Sequence, residues 1–232
     1  MQTVWFIRHG ESESNRGMVT PRNATSPLTP MGQQQAAHVA MAFPARPDLV
    51  ITSPYIRTGM TAAPTIARFA SGASITSVEW PIQEFTFLAA ARTANTVLKQ
   101  RQPMAEQYWQ RCDPHYIDGE GAESFVDLIG RIQAMFDRLR NRQESFIAVF
   151  THGQFLRAMV WHYLAGEIAI NADAMRNFRL FDQAIPVPNA AILKMTLDGD
   201  DRRMSNFITA HLPPAELAPD LPVAVGDQVN AS

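Results

Sequence analysis

Three short runs in this chain, TVWFI (3–7), LVIT (49–52) and FIAVF (146–150), are apolar at almost every position. A strand with one face in water alternates apolar and polar residues, so unbroken runs of this kind predict strands covered on both faces. Strands buried in that way belong to parallel sheets flanked by helices. Consecutive parallel strands need crossover connections, which are right-handed and usually helical. This one feature narrows the chain to an α/β architecture.

The segments between the runs agree. LTPMGQQQAAHVAMAF (28–43) offers Thr29 as an N-cap and Pro30 at the first helical position, with Ala36, Val39, Ala40 and Phe43 on one apolar face. From Glu123 to Arg142, Phe125, Leu128, Ile129, Ile132, Phe136 and Leu139 recur at helical spacing. QFLRAMVWHYLAG (154–166) predicts another helix, closed by Gly166. Pro64 interrupts the helical pattern of RTGMTAAPTIARFA, and a kink or a short 3₁₀ start is expected there. Late in the chain, AAILKMTL and RMSNFIT flank DGDD and predict an antiparallel hairpin at a sheet edge. The expected fold is a three-layer α/β/α sandwich with a mostly parallel central sheet and an antiparallel edge near the C-terminus.

At 232 residues the chain suits one sizeable domain, assigned to 1–212, with an excursion over the sheet at about 80–122 where periodicity is weak. The Pro-rich stretch 213–232 is expected to be an extended or unstructured tail. With 20 Lys+Arg against 22 Asp+Glu, nothing suggests a nucleic-acid partner, and no run reaches a membrane span. The single cysteine, Cys112, rules out an intramolecular disulfide, and with no leader pattern at the start the expected location is cytoplasmic.

Chemistry is expected where the buried strands end, because ligands of open α/β sheets bind outside the carboxyl ends of the strands. The first run ends in Arg8-His9-Gly10, the second leads through SPYI to Arg57, and the third ends in Thr151-His152-Gly153. Three separate segments thus bring two arginines and two histidines to one place, which describes an anion site. His38, His115, His162 and His211 lack this context and are assigned to structure or surface. A zinc site is set aside, since no HxxxH or CxxC pair is present and two guanidinium groups would repel a dication.

The segment RHGESESN (8–15) resembles the signature of the histidine phosphatase superfamily, the group that includes cofactor-dependent phosphoglycerate mutase. Further co-linear segments are similar to that family's motifs: LTPMGQQQA, VITSPYIRTGMTA, GAESFVDLIGR, FTHGQFLR and VPNAAIL. Together they cover residues 3 to about 212 in family order. The resemblance implies a phosphoglycerate mutase-like fold, no cofactor and no metal. It also implies that His9 is a nucleophile forming a phosphohistidine, and that Arg8, Arg57 and His152 hold the phosphoryl oxygens. Gly153 completes the phosphate-binding set, and Asn15 matches the family's asparagine.

One carboxyl group can protonate the leaving alkoxide and later activate water. Glu84, in WPIQEFTFL, resembles the family's acid in its distance from the second arginine, with Glu79 and Glu11 as rivals. Its surroundings lack the glycine-bearing pattern of the mutases, and the excursion has no Lys or Arg doublet to close over a small acidic substrate. Hydrolysis of a phosphoric monoester is therefore the expected reaction. Mutase-type transfer and a phosphate-recognising binding protein without turnover are the alternatives. The expected partner is a small phosphorylated substrate, with a phosphoprotein also considered. Trp80, Phe85, Phe87, Tyr108, Trp109 and Tyr116 either face the leaving group or pack the excursion down, and packing is the commoner use of such rings.

Overall fold

A computed structural model describes residues 1–19, 22–71, 74–199 and 201–217. Six strands form one sheet: β1 (Gln2–Arg8), β2 (Leu49–Thr52), β3 (Thr76–Glu79), β4 (Phe146–Thr151), β5 (Ile192–Asp198) and β6 (Asp201–Ile208), in the order β3-β2-β4-β1-β5-β6. Strands β1 to β4 pair in parallel, whereas β5 runs antiparallel to β1 and forms the predicted hairpin with β6. The helices are α1 (Pro30–Ala42), α2 (Ile56–Arg68), α3 (Ala90–Thr93), α4 (Leu98–Arg111), α5 (Phe125–Arg140), α6 (Gly153–Ala165) and α7 (Ala172–Ala184).

The period-two geometry of the strands sorts their side chains into two cores. Val4, Phe6, Ile51, Ile147 and Val149 face one way, onto residues of α5, α6 and α7 and the aromatic part of the excursion. Trp5, Ile7, Val50, Ala148 and Phe150 face the other way, onto Val39 and Phe43 at α1 and Ala62 of α2. The apolar runs are thus covered on both faces, as a three-layer sandwich requires. No helix among the described residues is long and apolar enough to cross a membrane.

Helix boundaries follow local chemistry. Thr29 caps α1, its side chain accepting from Gly32 N–H at 3.1 Å. Ser124 and Asp127 form a reciprocal capping box at the start of α5. Helix α2 runs unbroken from residue 56 to 68 with Pro64 inside, so the expected 3₁₀ start is absent. Burial of Thr58, Thr61, Ala62 and Thr65 against the sheet layer offsets the missing proline N–H. β3 and α7 were not anticipated: β3 is a four-residue, largely exposed edge, whereas α7 does carry a local start signal, the Asn171 cap whose side chain accepts from Ala174 N–H at 3.0 Å. The excursion carries α3 and α4, with Trp80, Phe85, Tyr108 and Trp109 buried in the core, so its aromatic rings pack it down. Of the expected tail, Pro214–Glu216 forms a 3₁₀ turn whose Glu216 meets Gln35 and His38; residues 218–232 lie outside the described residues.

Candidate active site

Register between β1 and β4 builds the centre of the site. Arg8 pairs with Thr151, and His9 N–H donates to the Thr151 carbonyl at 2.9 Å, which sets His9 beside His152 just past the strand ends. The two imidazole centroids are 5.0 Å apart. Gly10 is needed here for closeness: a Cβ would lie 2.4 Å from the Gly32 carbonyl oxygen. Its φ is not positive, so the glycine serves the packing of the loop on α1 rather than an unusual backbone conformation.

Arg57, one residue into α2, organises the centre. Its Nε donates to His9 Nε2 at 3.0 Å, its Nη2 to His152 Nδ1 at 3.1 Å and its Nη1 to the Asn23 carbonyl at 2.6 Å. A guanidinium can only donate, so both ring nitrogens that face it carry lone pairs. The remaining ring nitrogens must then bear the protons. His9 Nδ1–H donates to the Gly10 carbonyl at 2.6 Å, and His152 Nε2–H donates to Ser53 Oγ at 2.7 Å. Both tautomers are therefore fixed by partners on the backbone or on a buried hydroxyl.

Electrostatics favour neutral rings. His9 is held well below the ordinary histidine range by burial first, then by the charges of Arg57 and Arg8, against a smaller opposing effect of the Gly10 hydrogen bond. His152 shifts the same way through burial, Arg57, His9 and Arg8. Burial also lowers Arg57, to about 10, with the Glu84 charge opposing the shift. Tyr55 lies under the Arg57 guanidinium at 4.8 Å and edge-on to His152 at 5.1 Å, and burial raises its phenol.

Arg8 donates to the Val187 carbonyl and lies over Gly153, where a Cβ would sit 3.1 Å from its Nε. Gly153 thus makes room for the Arg8 side chain at the start of α6. Asn15 Oδ1 accepts from Ser12 N–H (3.1 Å) and Ser12 Oγ (2.9 Å), and from Asn189 Nδ2 at 3.2 Å. Asn189 Nδ2 also donates to the His9 carbonyl at 3.1 Å, tying Asn15 to the histidine loop.

Glu84 reaches the same place from the excursion. Its Oε1 accepts from the backbone N–H groups of Gln154 and Phe155, each at 3.1 Å, so the carboxylate sits on the first turn of α6 directly behind His152 and Gly153. The rivals are elsewhere. Glu11 is buried and accepts from the Thr29 hydroxyl at 2.7 Å, serving the junction with α1, and Glu79 is exposed at the end of the edge strand β3. Ser53 and Tyr55 were not singled out in the sequence, and Asn189 entered only as the asparagine of the VPNAAIL segment. Ser53 has one local signal, since it directly follows the buried strand β2, whereas the contact of Asn189 with His9 spans 180 residues and follows from tertiary structure alone.

Of the other histidines, two have structural partners. His38 pairs with Glu216 at 3.0 Å and His211 meets the Ala190 carbonyl at 3.0 Å. His162 lies in the third turn of α6, and His115 is exposed. Among the described residues no three His, Cys, Asp or Glu side chains are grouped to hold a metal ion.

Comparison with known proteins fits this geometry. The sequence pattern of the histidine phosphatase superfamily (branch 1) matches residues 4–207. The chain belongs to the histidine phosphatase superfamily. Within it, the chain is 26% identical over 188 residues to the adenosylcobalamin/alpha-ribazole phosphatase of Escherichia coli (strain K12), covering 76% of this chain and 84% of that protein. Its fold is similar to that of a phosphoserine phosphatase from Entamoeba histolytica, with a TM-score of 0.68 and 20% identity, over 92% of this chain and 100% of the other. It is likewise similar to an alpha-ribazole phosphatase from Shigella flexneri, with a TM-score of 0.66 and 21% identity, over 89% and 96% of the two chains. As a superfamily member the protein is an enzyme of the phosphatase class, acting on phosphate monoesters.

Proposed function

We propose that this histidine phosphatase hydrolyses a small phosphoric monoester through a phosphohistidine on His9. The observation that carries the reading is the state of the His9 ring. Its Nδ1–H is committed to the Gly10 carbonyl, which leaves the Nε2 lone pair facing the space held by Arg57, beside His152.

An arriving phosphoryl group would put its oxygens where Arg57 Nε and Nη2 now meet the two rings. Nε2 of His9 attacks phosphorus, the N–P bond forms and the P–O bond to the leaving group breaks in line. Arg8, Arg57 and His152 oppose the charge on the transferring oxygens. This electrostatic work and alignment make up most of the catalysis such a transfer needs from protein. His152 already donates through Nε2, so its bond to a phosphoryl oxygen requires a proton on Nδ1. A dianion in the cradle favours that second proton, reversing the balance set by the two arginines. Asn15 adds a donor through its Nδ2.

Glu84 protonates the leaving alkoxide through the carboxyl oxygen that does not accept the α6 N–H groups. As carboxylate it then removes a proton from the water that attacks the phosphohistidine, giving inorganic phosphate and free His9. The relatives named above are phosphatases of small phosphorylated compounds, so phosphoserine and alpha-ribazole phosphate head a substrate panel. Such a panel includes a phosphoglycerate isomerisation assay and a phosphopeptide.

Rapid quenching with ³²P-labelled substrate tests the reading. An acid-labile, base-stable label on His9 and its loss in His9→Ala are expected. Turnover by wild type without label on residue 9 refutes the mechanism. Failure of wild type to hydrolyse p-nitrophenyl phosphate would favour a binding protein.

A further inference from the structure

Glu84 stands in a segment, residues 80–89, that has no repeating structure to hold it. Its backbone groups must find partners elsewhere, and a catalytic carboxyl tolerates little drift. The partners converge on one ion pair. Arg131, in the second turn of α5, donates through Nη1 to the carbonyls of Pro81 at 2.9 Å and Gln83 at 3.1 Å. Its other face meets Glu123 in a two-point pair, Nε to Oε2 at 2.8 Å and Nη2 to Oε1 at 2.6 Å. Glu123 in turn takes the far side of the loop. Its Oε1 accepts from Thr86 N–H at 3.0 Å, and its own N–H donates to the Thr86 carbonyl at 2.9 Å.

The loop is therefore gripped on both sides of residue 84 by two side chains that hold each other. A third hold comes from Thr151, at the end of β4, whose hydroxyl donates to the Ile82 carbonyl at 2.6 Å. The Arg131 guanidinium also lies 5.3 Å from the ring centroid of Phe155, the residue whose N–H donates to Glu84. Each side chain of the pair is only 14% exposed, so neither is a solvated surface charge, and loss of one would strand the other.

We propose that the Glu123–Arg131 pair is a positioning device for Glu84, fixing the carboxyl over the first turn of α6 so that it can pass its proton to the leaving oxygen. The inference rests on the reading of Glu84 as the acid. Arg131 and Glu123 touch neither the phosphoryl group nor the leaving group in this account. Their effect on rate runs through the loop, and it grows as the leaving group comes to need a proton more.

That dependence separates positioning from simple stabilisation. Arg131→Met keeps an apolar stem beside Phe155 and removes the donors, and Glu123→Gln keeps the shape and removes the charge. Both are assayed, after thermal unfolding confirms a folded chain, on p-nitrophenyl phosphate and on phenyl phosphate, whose leaving group is far more basic. For Arg131→Met the expected loss is read in kcat/KM, which reports the step that expels the leaving group and not the later hydrolysis of the shared phosphohistidine: about 30-fold on phenyl phosphate and under about threefold on p-nitrophenyl phosphate, part of the range general acids supply. Glu123→Gln should show the same selectivity with smaller losses. In a Glu84→Gln background, Arg131→Met should add less than about threefold on phenyl phosphate, because the carboxyl it places is gone.

Equal losses on both esters, or an undiminished effect in the Glu84→Gln background, would overturn the positioning role. If Glu84→Gln is itself selective for the basic leaving group, that failure is confined to the clamp. If Glu84→Gln lowers both esters alike, the acid assignment falls and the proposal falls with it.

Discussion

Two fully buried, neutral histidines make the stability of this protein depend on pH well above the range where carboxylates titrate. His9 and His152 both lie well below the ordinary value of 6.5 in the fold, chiefly through burial and secondly through Arg57. In the unfolded chain each ring takes up a proton as pH falls through 6.5, while in the fold it does not. The unfolded state then binds more protons, so the stability these groups hold is complete above pH 6.5 and drains as pH drops below it. The limiting slope is about 1.36 kcal/mol per pH unit for each ring. From pH 7.5 to 5.5 two rings sum to a loss of about 2.7 kcal/mol, a large share of an ordinary domain's stability. Urea unfolding at half-unit steps over that interval measures it, with a His9→Asn/His152→Asn variant as the reference. His162 and His211 are shifted in the same direction and remain in both proteins, so the difference in slope isolates the pair. Glu144, lowered from 4.5, acts below this window. Equal slopes in wild type and variant would refute the reasoning, since they would mean that the two rings bind protons alike in folded and unfolded chains.

Three further outcomes are expected. Arg57→Met removes a donor from both rings and from the phosphoryl cradle, and should lower kcat by roughly 10²–10³-fold on any phosphomonoester, measured by phosphate release. Gly153→Ala puts a Cβ 3.1 Å from Arg8 Nε, so the guanidinium must shift by a few tenths of an ångström. Its kcat/KM should fall about tenfold while urea unfolding stays within about 1 kcal/mol of wild type, as the new side chain suits a helix start. Vanadate should inhibit competitively by filling the cradle, whereas EDTA should leave turnover unchanged; inhibition by EDTA would require a metal in the reaction.

Much of the site was legible because its key residues sit next to strongly patterned strands. His9 and His152 each lie two positions past an apolar run and directly after a strand, and the parallel register of β1 and β4 places such residues side by side. Arg57 was legible for the same reason, through β2 and the start of α2. Glu84 was less so, because the excursion has no repeating pattern from which its direction could be read. Of the two outcomes expected at Pro64, the short 3₁₀ start is absent for a related cause: the local cost of proline in a helix is visible in sequence, but the burial of the helix face beside it is not.

The order of apolar runs and helical stripes in the sequence was enough to set the layered architecture, its parallel core and the strand ends where cations and imidazoles gather, because strand and helix periods are local properties of the chain. The proton positions on the two rings, the seat of Glu84 on α6 and the grip of Arg131 and Glu123 were decided only by tertiary structure. Each depends on hydrogen bonds between segments far apart in sequence, 99 residues for Ser53 and His152 and 70 for Glu84 and Gln154. Such a bond needs its donor and acceptor within a few tenths of an ångström of ideal separation, and only the packed fold fixes distance that finely.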